Sequence, residues 1–121
     1  MGSIGVSSLE EHLPATAASL AVARAVMRDF TAELGVDVCG VELAVSEAVA
    51  DAVVHDGGDV ELTAHWSTRT LEVVVRDRRD GDAPPVGERI AIIRRLAHDI
   101  GIDDGLGGHA LTLRFRRLGR G

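Results

Sequence analysis

The chain has 121 residues, 45% of them hydrophobic, which suits one domain with one core. Its 13 basic residues are all Arg, and Lys, Asn, Gln and Tyr do not occur, so a phosphate-loop lysine and Schiff-base chemistry are excluded on residue type. A formal net charge of −6 argues against general nucleic-acid binding. The single Cys39 allows no internal disulfide, and neither a membrane-spanning apolar run nor a secretory leader is read, so the expectation is a cytoplasmic protein.

Residues 1–8 read as a flexible start, 9–117 as one domain and 118–121 as a tail. Leu9, Glu11 and Leu13 alternate as a short edge strand that Pro14 ends. From Thr16 the period becomes helical: Leu20, Ala23, Met27, Phe30 and Leu34 recur at steps of three and four until Gly35. Asp37 is placed to cap a second helix, striped by Val41, Val45, Ala48 and Ala52 and ending near His55. Val60, Leu62, Ala64 and Trp66 then alternate with polar residues. Leu71, Val73 and Val75 follow after a short turn at Ser67–Thr70, which predicts an antiparallel hairpin with Trp66 on its inward register.

Breakers from Asp77 to Glu88 read as a loop. Ile90, Ile93, Leu96 and Ile100 predict a third helix closed by Gly101, and Leu111, Leu113 and Phe115 a last strand. On that strand Arg114 and Arg116, with Arg117 beside it, are expected to guard an exposed edge. Two successive helices before a hairpin do not suit a doubly wound parallel sheet. The pattern predicts an α+β fold: a two-layer α/β sandwich with a mixed, mostly antiparallel sheet of about four strands and three helices on one face.

The segment from Glu42 through Glu47 and Asp51 to His55 resembles the N box of the histidine-kinase-like ATPases, and most closely that of the bacterial anti-sigma-factor serine kinases. Leu13 to Thr16 is similar to the opening of that family, and Val73 to Asp77 to the strand that leads into its adenine box; the resemblance covers roughly residues 9 to 117. It implies ATP and Mg2+ as cofactors, with Glu47 as catalytic base and Asp51 at the magnesium-binding position. It further implies that Asp77 and Gly81 contact the adenine, and that Gly87 and Arg89 lie at a phosphate-binding helix start. The implied partners are a sigma factor or an anti-anti-sigma protein, and the implied assembly is a homodimer.

The sequence departs from that pattern at several points. Asp51 stands where the family has Asn, placing a second carboxylate near the phosphates. Arg79 and Arg89 stand where it has Gly, and only Asp82 to Val86 remain of its lid. Before the last strand, Gly107-Gly108-His109-Ala110 lacks the usual small hydroxyl residue, and a plain turn is the alternative reading there. On residue pattern alone, Glu47, Asp51 and His55 could equally be a solvated helix face, or, less readily, three ligands of one cation. The combined expectation is a partner-binding regulator with impaired nucleotide contacts; the alternative is an active ATP-dependent serine kinase. Arg24 and Arg28 of the first helix are candidate partner contacts.

Overall fold

The computed structural model describes residues 7–55, 58–78, 87–105 and 108–119. Its elements run β1 (Ser8–Leu13), α1 (Ala18–Thr31), α2 (Val38–His55), β2 (Val60–Ser67), β3 (Thr70–Asp77), α3 (Gly87–Leu96), β4 (Asp99–Gly105) and β5 (Gly108–Arg116). The five strands form one sheet in the order β1-β2-β3-β5-β4, and every neighbouring pair is antiparallel.

The alternation that predicted β2 and β3 reflects a sheet covered on one face. Val60, Leu62 and Ala64 on β2 are buried, as are Leu71, Val73 and Val75 on β3 and Leu111, Leu113 and Phe115 on β5, and α2 lies over these three strands. Trp66 follows the same register and packs, half-buried, against the core. The β2–β3 hairpin closes through Thr68 and Arg69, with Thr68 at φ 57°.

α2 is the central helix. Asp37 caps it as expected, its Oδ1 accepting the backbone N–H of Gly40 at 3.1 Å. Its buried residues include Val41, Ala44, Val45, Ala48, Val49 and Ala52, more than one stripe, because α1, α3 and the sheet all pack on it. α1 is tied to it by two polar contacts. Arg28 donates to both carboxylate oxygens of Glu42 (3.1 and 2.8 Å), and Arg24 Nη1 donates to Ser46 Oγ at 2.9 Å. The Arg28 hydrogen bonds hold the Glu42 carboxyl below its ordinary range, and Arg24 and Arg28 both join the two helices, with Arg28 still exposed at the surface.

Three expectations need correction. The third helix stops at Leu96, and Ile100 and Gly101 belong to a fifth strand, β4, that sequence periodicity hid. α1 ends at Thr31, and Gly35, at φ +79°, belongs to the turn beyond it. β5 is not an edge: it lies between β3 and β4, and Arg114 is spent on Glu72 of β3 (3.1 Å) and Asp99 of β4 (2.9 Å). The edges are β1 and β4. Among the described residues no helix is long and apolar enough to cross a membrane.

Candidate functional site

Helix periodicity decides where the N-box carboxylates go. Glu47 and Asp51 are one turn apart on α2, but they sit at different depths: the Glu47 side chain keeps 24% of its surface exposed, whereas Asp51 is wholly buried. Asp51 therefore faces the protein interior, and a solvated face is the wrong description of it. His55 reports on the same turn, its Nδ1 donating to the Asp51 carbonyl oxygen at 2.9 Å and lying 3.8 Å from Asp51 Oδ1.

The first turn of α3 reaches over this helix. Gly87 opens it, and Arg89, its third residue, places Nη1 3.6 Å from Glu47 Oε1. Arg89 Nε is buried and has no hydrogen-bond partner among the described residues. The cation at the family's glycine position thus turns toward the proposed base. The pair is long and partly exposed, worth at most about 1 kcal/mol, while an orphaned buried donor costs about 1–3 kcal/mol. Arg89→Met is accordingly expected to change the unfolding free energy by less than about 1 kcal/mol in a urea titration. A loss of about 3 kcal/mol would mean that the pair is far stronger than its geometry indicates.

Asp77 ends β3 on the inward register of Leu71, Val73 and Val75, which buries its carboxylate. His109 of β5 is its cross-strand neighbour, with Nδ1 3.9 Å from Asp77 Oδ2 and both side chains at most 2% exposed. Sequence reasoning took His109 as part of a turn. The overlooked signal was parity, since His109 shares the inward register of Leu111, Leu113 and Phe115. Arg79 and Gly81 lie outside the described residues.

Asp77 also borders a cavity of about 400 Å³, together with His12, Glu61, Arg76 and Arg78. Glu47, Asp51 and Arg89 do not line it. The structure thus joins Glu47 to Arg89, Asp51 to His55, and Asp77 to His109. No described cavity brings the three sets together.

No family model and no curated protein matches the sequence. Among solved structures, the chain matches the crystal structure of the RsbU and RsbW domains of Rv1364c from Mycobacterium tuberculosis, with a TM-score of 0.74 and 26% identity. The fold is that of the RsbW-like, histidine-kinase-like ATPases. The match covers 95% of this chain and 34% of the other, so the chain spans about a third of that protein's length. It agrees with the resemblance to the anti-sigma-factor serine kinases.

Proposed function

We propose that this domain is an anti-sigma-type regulator that acts by binding a protein partner, a sigma factor or an anti-anti-sigma protein, with its nucleotide chemistry impaired. The RsbW-like fold supports the regulatory class. The observation that carries the impairment is Arg89: it stands where the resemblance expects a glycine, and it points its guanidinium at Glu47. Phosphoryl transfer relies on positioning and charge neutralisation, so a base already engaged by a resident cation is poorly placed to accept a hydroxyl proton. Asp51 adds to this, because a wholly buried carboxylate beside His55 is a poor fit to a magnesium ion that keeps several waters. The homodimer remains part of the proposal.

The second reading, an active serine kinase, is favoured by one observation, the cavity of about 400 Å³ against Asp77, the residue that the resemblance assigns to adenine. Calorimetric titration with ATP and magnesium separates the two. The regulator is expected to bind more weakly than about 1 µM, less favourably than about −8 kcal/mol. Tighter binding, together with loss of partner phosphorylation in Glu47→Ala while partner binding persists, would establish the kinase instead.

A further inference from the structure

The sheet face turned away from the helices carries a second cluster of chemistry-bearing side chains. Glu10 and His12 are two residues apart on β1 and share that face, and Glu61 of β2 is the cross-strand partner of His12. His12 Nε2 lies 2.9 Å from Glu10 Oε2 and 3.9 Å from Glu61 Oε2, and one ligand-type atom from each residue lies within 4.8 Å of the other two. Zinc bonds of about 2.0–2.2 Å to nitrogen and oxygen set tetrahedral ligands roughly 3.3–3.6 Å apart. The side chains can close that difference by rotation, because Glu10 and His12 are exposed and Glu61 is half-buried.

Two further features distinguish this cluster from an ordinary surface ion pair. Arg76, the register partner of Glu61 on β3, places Nε 3.5 Å from Glu61 Oε1. The guanidinium therefore engages one carboxylate oxygen and leaves Oε2 toward His12, as an outer contact orients a ligating carboxylate. In addition, His12 and Glu61 border the cavity of about 400 Å³, which leaves room for water at the remaining coordination position.

We propose that Glu10, His12 and Glu61 form a divalent transition-metal site, with zinc the best match to one imidazole and two carboxylates, and that the bound ion clips the edge strand β1 to β2. Glu47 does not line the cavity that this site borders, whereas Asp77 does.

The test uses the full chain carrying Cys39→Ser, so that the exposed thiol does not compete for the ion. Titration with zinc chloride is expected to give one ion per chain and a rise in Tm. His12→Ala and Glu61→Gln should each weaken binding at least about tenfold, and Arg76→Ala, which removes only the orienting contact, about tenfold. Glu10→Gln alters an exposed side chain on an open face, so it folds even if a β2 variant does not, and should also weaken binding. Binding absent at one equivalent, half an ion per chain, or binding unchanged in both His12→Ala and Glu10→Gln would overturn the site.

Discussion

Leu113→Ala is expected to lower the unfolding free energy by about 2–5 kcal/mol, whereas Leu43→Ala leaves it within about 0.5 kcal/mol. Both remove the same atoms. Leu113 is fully buried on β5, opposite Val73 on one side and Ile100 on the other, beneath the helix layer, so its loss leaves a void that close-packed neighbours only partly fill. Leu43 lies on α2 at 46% exposure, where little apolar area is lost and Ala is the better helix former. Urea unfolding of the two variants, with m-values unchanged, reads the difference directly. Equal losses would mean that the exposed side of α2 is covered by a partner surface in solution.

Gly108→Ala is the second large effect, about 2–4 kcal/mol of destabilisation. Gly108 opens β5 at φ +122°, a conformation that L side chains rarely adopt. A Cβ there would collide with the backbone carbonyl oxygen of Asp77 and come within 3.0 Å of Arg78 Cα. The opposing atoms are main chain, so relief requires β5 to shift against β3, next to the Asp77–His109 pair. Gly35→Ala is the control. Gly35 also has positive φ, at +79°, but an added Cβ would meet only the Arg117 side chain, at 3.1 Å, which can swing away. A loss of about 1–2 kcal/mol is expected there. Thermal unfolding that ranks Gly35→Ala as the worse variant would contradict the close approach at Asp77.

Some of the candidate site was legible before any coordinates. Glu47, Asp51 and Asp77 were singled out by the resemblance, and helical spacing alone put the first two on one side of α2. Their depths were not legible. Spacing puts two residues on one side of a helix, but whether that side meets solvent depends on how many neighbours pack on it, and α2 is enclosed from three directions. Likewise no spacing rule pairs Arg89 with Glu47, because their contact spans two helices separated by the β2–β3 hairpin.

Local chemistry sufficed wherever a single element carried its own signal. The Asp37 cap, the end of α2 at His55 and the inward parity of β2 and β3 are short-range features, and each stands in the structure where residue pattern put it. β4 is the counterexample. Ile90, Ile93, Leu96 and Ile100 fit a helix as well as Ile100 and Ile102 fit a strand. Pairing with β5 resolved it: His98 N–H donates to the Arg114 carbonyl at 2.8 Å, Arg114 binds Asp99, and Ile100 stands opposite Leu113. These bonds join residues more than a dozen positions apart, so they exist only once the sheet has formed, and a seven-residue segment containing two glycines and three aspartates has too little propensity of its own to announce them. The same long-range pairing made β5 an interior strand and turned Arg114 from an edge guard into a cross-strand tie.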